Sequence, residues 1–247
     1  MKTILSIATP AEVETECLVA VVLDRSVEKD KPEVTVETGD AAVKEAAREV
    51  ILSGEATGKA LEVTLLHHPG KLKAKRLLLV GGGKGKNFSH PELRKLAGAA
   101  ARTLKGRGLR SFAFVTPSGI GAADATRAIV EGACVGNFDP DYYKSDRKDQ
   151  KIDELTVVTG GDVTGVQQAM DEARIVGESQ NFTRDLVNEP SNRMTPTILA
   201  ERAKKMAQEV GLKCEVYVGQ DQGNENGRVL ERGPGLGRAA SPDCPAL

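Results

Sequence analysis

Tryptophan is absent from the 247 residues, and histidine and tyrosine occur three times each. His67, His68 and His90 therefore leave few groups for histidine-based catalysis. The four cysteines, Cys17, Cys134, Cys214 and Cys244, lie far apart and form no CxxC pair. That excludes a compact cysteine zinc site and fits a reducing compartment. Neither sign of charge dominates: 34 Lys and Arg face 35 Asp and Glu, a net charge of −1. Nothing in this balance attracts nucleic acid or an anionic membrane surface. The longest apolar run, Cys17 to Leu23, is too short for a membrane-spanning helix. At the N-terminus Ile4, Leu5 and Ile7 are followed by Pro10, too short a stretch for a secretory apolar region. What remains is ordinary for a globular protein, 40% apolar and 28% charged residues, and a cytoplasmic location is expected.

The first two thirds alternate short apolar runs with helical periodicity. Leu18–Leu23, Leu61–Leu66, Leu77–Val80, Phe112–Val115 and Leu155–Val158 are bounded by Gly, Pro or charge, as buried strands are. Val43, Ala46, Ala47, Val50 and Ile51 share one helical face that ends at Gly54. Leu93, Leu96, Ala97, Ala100, Ala101 and Leu104 do the same, between Ser89-His90-Pro91 and Gly106. A third helix is expected from about Ala122 to Val135. The pattern predicts an α/β fold with a mixed, largely parallel sheet flanked by helices. The charged stretch Asp139–Glu154 reads as a solvated loop.

A long helix follows from Val166 to about Val187, stopped by Asn188-Glu189-Pro190. Thr195 and Pro196 open another helix, Gly211 closes it, and Lys213–Val218 reads as a strand. This is the start of a second α/β unit. From Val218 to Leu247 the chain carries six glycines and three prolines, and apolar periodicity disappears.

Few groups suggest chemistry. Gly81-Gly82-Gly83-Lys84-Gly85 lies between a strand and a helix, where backbone N–H groups can cradle a phosphate. Its spacing matches neither a P-loop nor a GxGxxG fingerprint, so a tight turn is the plainer reading. His67 and His68 are adjacent on a strand and point to opposite faces, unsuited to one metal. Pro117-Ser118-Gly119-Ile120-Gly121 lacks the spacing of a nucleophile elbow. Gly235-Leu236-Gly237-Arg238-Ala239-Ala240 has no preceding strand and no room for a βαβ unit. No catalytic, cofactor-binding or metal-binding residue is assigned.

The most informative run is Asn181 to Pro196, with Arg184-Asp185-Leu186-Val187-Asn188-Glu189-Pro190-Ser191-Asn192 and then Thr195-Pro196. It resembles the segment that leads into the catalytic domain of the leucyl (cytosol) aminopeptidases. Gly70–Lys84 resembles a strand and turn of that family's N-terminal domain, with Gly82 where an apolar residue is usual. Glu131–Asp146 is similar to its helix-and-loop. The resemblance covers about Met1 to Tyr217.

What the resemblance implies is a small, macro-like N-terminal α/β domain (1–160), a linker helix (161–187) and the truncated start of a catalytic domain (188–217). The family releases N-terminal amino acids from peptides, uses two divalent cations (zinc or manganese), and assembles as a hexamer. Its metal ligands lie in "K-G-x-x-x-D-T-G-G" and "N-T-D-A-E-G-R-L" runs, and neither is found in this sequence. The chain is therefore expected to be inactive by itself and to serve structure and oligomer support. Two other classes are open: a free-standing nucleotide or ADP-ribose binding module, and a regulatory subunit that joins intact chains.

The tail (218–247) is expected to be disordered and read out of frame. Back-translating Asn226–Ser241 with permitted codons and dropping one base yields Met-Gly-Ala-Phe-Trp-Ser-Val-Ala-Gln-Gly-Ser-Gly-Glu-Pro-Pro. That resembles the run following the next helix in the family. The slip is expected between Tyr217 and Glu225.

Overall fold

A computed structural model describes residues 1–27, 33–141, 143–146, 150–160, 163–217 and, in backbone, 228–231. The chain divides into two units, Met1–Thr183 and Arg184–Leu247.

The first unit is built on a seven-stranded sheet. Its strands are β1 (Lys2–Ser6), β2 (Leu18–Asp24), β3 (Val34–Val36), β4 (Val63–His67), β5 (Arg76–Lys84), β6 (Ser111–Val115) and β7 (Glu154–Val158). They run in the order β1-β7-β6-β2-β5-β4, with β3 beside β2. All neighbours along that path are parallel except β4, which is antiparallel to β5; β3 is antiparallel to β2. β6 pairs only with Leu18 and Val19 of β2, whereas β3 pairs with Val22–Asp24, so the central strand changes neighbour along its length.

Both faces of β2 are buried, which is why its sequence is continuously apolar rather than alternating. Val19, Val21 and Leu23 face a core shared with α2 (His90–Gly106), α3 (Ala122–Asn137) and the start of α4 (Val166–Asn188). Leu18, Ala20 and Val22 face the opposite side, with Val43 and Ala47 of α1 (Ala41–Leu52). The Asp40 carboxylate caps α1 by accepting from the Ala42 and Val43 N–H groups.

The five expected strands and three helices are present, with shifted edges. Leu61 is not in a strand: its φ is +64° and its N–H donates to the Gly81 carbonyl at 2.8 Å. The third helix, expected to end at about Val135, runs on to Asn137. Within the segment 161–187, Val166, Ala169, Met170 and Ala173 of α4 are buried, because the apolar face of the start of this helix finds its cover on the first unit.

In the second unit α5 (Pro196–Glu209) begins at Thr195, whose Oγ1 accepts from the Ile198 N–H. Gly211 takes φ +74° to end it, and β8 (Cys214–Tyr217) follows. β9 (Arg228–Glu231) pairs antiparallel with β8, Cys214 opposite Glu231 and Tyr217 opposite Arg228. Within the tail, 218–247, the described residues are those of β9, 228–231. The rest of the tail, 218–227 and 232–247, lies outside the described residues.

Candidate functional site

The glycine run is part of a strand, not a free turn. Gly81 to Lys84 complete β5, and Gly85 opens one turn of 3-10 helix. The Gly81 N–H donates to the Glu62 carbonyl and the Gly83 N–H to the Gly58 carbonyl, both at 2.8 Å. A Cβ on Gly81 would lie 2.0 Å from the Lys59 carbonyl oxygen. These glycines let the 58–62 loop lie directly on the strand. Glu62 locks that loop, its carboxylate accepting from the N–H groups of Thr57 at 2.7 Å and Gly58 at 2.9 Å.

Two nearby cations are committed as well. Lys84 Nζ sits 2.8 Å from Asp24, and this contact together with the Ser26 hydrogen bonds holds the Asp24 carboxyl down to about 2. Arg25 pairs at 2.9 Å with Glu37, whose side chain is buried. Two of the donors that a phosphate cradle would use, and the charges of Lys84 and Arg25, are thus already occupied by protein.

Carboxyl ends of parallel strands are the usual ligand position in α/β sheets. Here a crevice of about 300 Å³ lies beyond β1, β6 and β7, bordered by Thr9, Thr38, Asp40 and Thr116. No cation lines it. The Asp40 carboxylate is used by the α1 cap and by the Ala11 N–H at 2.8 Å. This crevice does not favour a phosphate-bearing ligand.

His67 ends β4 while His68 takes φ +54°, so the two separate, and His90 starts α2. Among the described residues no group of three or more His, Cys, Asp or Glu is placed to hold a metal. Burial pushes the Cys17 thiol up to about 12 and Cys134 to about 11, which makes both poor nucleophiles.

The Asn181–Pro196 run does structural work in each unit. In the first, Asn181 Nδ2 donates to the Cys134 carbonyl at 2.8 Å, and Gly177 lies so close that a Cβ there would be 2.6 Å from Cys134 Cβ. In the second, the Glu189 carboxylate accepts from Arg202 at 2.8 Å, and burial raises the Asp185 carboxyl against the pull of Arg202. The Pro190 carbonyl accepts from the Arg193 and Met194 N–H groups, closing the turn between α4 and α5.

Reading motifs one by one misses the contact of α2 with α3. A Cβ on Gly132 would be 2.1 Å from the Arg94 carbonyl oxygen, and one on Gly136 would be 2.5 Å from that of Gly98. The available signal is the four-residue spacing of Gly132 and Gly136, which aligns both on one helix face.

A profile of the cytosol aminopeptidase family's N-terminal domain matches residues 18–147, and one of its catalytic domain matches 181–231. The probable cytosol aminopeptidase of Koribacter versatilis (strain Ellin345) is 47% identical over 88% of this chain and 46% of its own length. That of Acidobacterium capsulatum is 42% identical over 88% and 45%. The chain spans about half the length of these relatives. A mutant tomato leucine aminopeptidase superposes with a TM-score of 0.70 at 22% identity, covering 88% of this chain and 44% of that one. The bottromycin maturation enzyme BotP in complex with Mn gives 0.62 at 22% identity, covering 83% and 39%. At that identity the two structures speak to the fold alone. With more than half of its residues matched by the N-terminal-domain profile, and the opening of the catalytic domain matched after it, the chain belongs to the cytosol aminopeptidase family.

Proposed function

We propose that this chain supplies the N-terminal domain and the opening of the catalytic domain of a metal-dependent aminopeptidase that releases N-terminal amino acids from peptides in the cytosol. The observation that carries the reading is the tandem order of the two family matches, 18–147 and then 181–231. The role of the part described is structural, with support of a hexameric assembly as its partner function. In this reading the divisions fall at 160, 187 and 217, and no catalytic, cofactor or metal residue is assigned.

The family's two divalent cations, zinc or manganese, need several carboxylates converging on one cavity. The described residues do not fit that requirement, since no such cluster is among them. No step of a reaction is therefore routed through a metal on these residues. The nucleotide-binding alternative is not favoured, because the Gly81 and Gly83 donors, Lys84 and Arg25 are all engaged.

The test is hydrolysis of leucine p-nitroanilide by the purified chain with excess Mn²⁺ or Zn²⁺. No turnover is expected. Turnover that a chelator abolishes would refute the structural assignment.

A further inference from the structure

Helix α2 carries His90, Arg94, Gly98 and Arg102 at intervals of four, so they succeed one another along one flank of the helix. That flank borders a groove of about 470 Å³ whose other wall is formed by Leu61 and Val135. The volume is in the range of ligand sites. Its floor at Gly98 and Gly132 is bare backbone, because the close approach of α2 and α3 excludes side chains there.

Two features distinguish this groove from an ordinary surface dent. The first is charge. Arg94, Lys95 and Arg102 line it and, among the described residues, no carboxylate does, although the whole chain is balanced in charge. Arg94 donates to Gln180 Oε1 at 2.8 Å and reaches Glu131 at 3.5 Å, and Lys95 reaches Glu92 at 3.3 Å. Among the described residues Arg102 makes no hydrogen bond or ion pair. Its guanidinium lies 3.5 Å from where a Cβ on Gly98 would stand, so the free cation is turned over the groove floor.

The second feature is Leu61. It is held at φ +64°, costly for a branched side chain, by the rigid 57–62 loop, and its side chain is left about half exposed. A strained backbone that presents an apolar group to solvent beside unpaired positive charge is complementary to a ligand bearing the opposite pair. We infer that this groove docks a short acidic peptide segment of a partner protein. An apolar side chain of the segment lies against Leu61 and Val135, and its carboxylates meet Arg102 and the outer faces of Arg94 and Lys95. A free phosphate would use the cations but leave the apolar wall idle, so peptide is the occupant favoured.

The test is fluorescence-anisotropy titration of the full chain with a labelled Glu-Leu-Glu-Val-Glu peptide, blocked at both ends. Saturable binding below about 1 mM is expected, weakening as salt rises. The Gln-Leu-Gln-Val-Gln peptide, oligoglutamate and inorganic phosphate should each bind at least about fivefold more weakly, a difference of about 1 kcal/mol. Arg102→Gln should weaken the acidic peptide by a similar factor without changing the melting temperature, since Arg102 has no bond to lose. Leu61→Gly removes the apolar wall while relieving the positive φ, so it should lose affinity with unchanged or higher thermal stability. Absence of saturable binding overturns the proposal, as does equal binding of the Gln peptide. Equal binding of oligoglutamate together with an unaffected Leu61→Gly variant reduces the groove to diffuse charge attraction and overturns it too.

Discussion

Gly132→Ala tests the packing that holds the first unit together. The added methyl would lie 2.1 Å from the Arg94 carbonyl oxygen and 3.0 Å from Ala97 Cβ. Ordinary contacts with a carbonyl oxygen are more than an ångström longer, and the obstacle is helix backbone, which cannot rotate away. Helices α2 and α3 must separate, loosening the core shared by Leu96, Ala100, Ile129 and Ala133. Overpacking costs about 1–3 kcal/mol, and the directness of this clash puts the expected loss at about 3 kcal/mol. For a domain of this size that lowers the melting temperature by about 6–12 °C. Gly136→Ala meets the Gly98 carbonyl oxygen at 2.5 Å on the same face and should be comparable. Because one separation relieves both clashes, the double variant should lose clearly less than the sum of the two. Gly106→Ala, where nothing lies within 4 Å of the new methyl, is the control and should be neutral or stabilising by up to about 1 kcal/mol. Urea denaturation followed by circular dichroism measures all four variants. A Gly132→Ala protein within about 0.5 kcal/mol of wild type, or strict additivity in the double variant, would refute the close-contact argument.

Three further outcomes are expected. The Glu16 carboxylate loses hydration on burial, but the N–H groups of Arg110 and Ser111 and the Ser111 hydroxyl hold its pKa below the usual range, so its stabilisation is full above about pH 4.3 and fades as pH falls through the lowered folded-state value. Glu16→Gln should thus cost about 1–2 kcal/mol at pH 7, with the gap to wild type narrowing in melts run below about pH 4; a gap independent of pH contradicts this. Mass-spectrometric mapping after iodoacetamide treatment should find Cys214 alkylated in the folded protein and Cys17 and Cys134 only after unfolding. The gene sequence across codons 217–231 decides the reading frame of the tail: an inserted or deleted base between codons 217 and 225 supports the shifted frame, whereas an uninterrupted frame through 231, where the catalytic-domain match ends, refutes it.

Much of the architecture is legible in local pattern. The continuous apolar run Leu18–Leu23 announces a strand buried on both faces, and the spacing of Val43, Ala47 and Leu93, Leu96, Ala100 marks helix faces that are indeed covered. Breakers are equally readable, because Pro190, Pro196 and Gly211 act on their own backbone dihedrals. The family is legible too, in the Arg184–Asn192 run.

The remainder depends on contacts between distant residues. β1 and β3 carry little apolar signal, since each gains its stability from a partner elsewhere in the chain, Lys2 against Glu154 and Val36 against Val22. The sequence Gly81–Gly85 by itself allows a phosphate loop or a packed strand end. The 58–62 loop, brought against β5 by the fold, takes the Gly81 and Gly83 donors and makes residues 81–84 a packed strand end. Periodicity and chain breakers arise between residues a few positions apart, so sequence alone determines them. Strand partners, occupied donors and the groove beside α2 arise from closure of the sheet, and only the tertiary structure decides them.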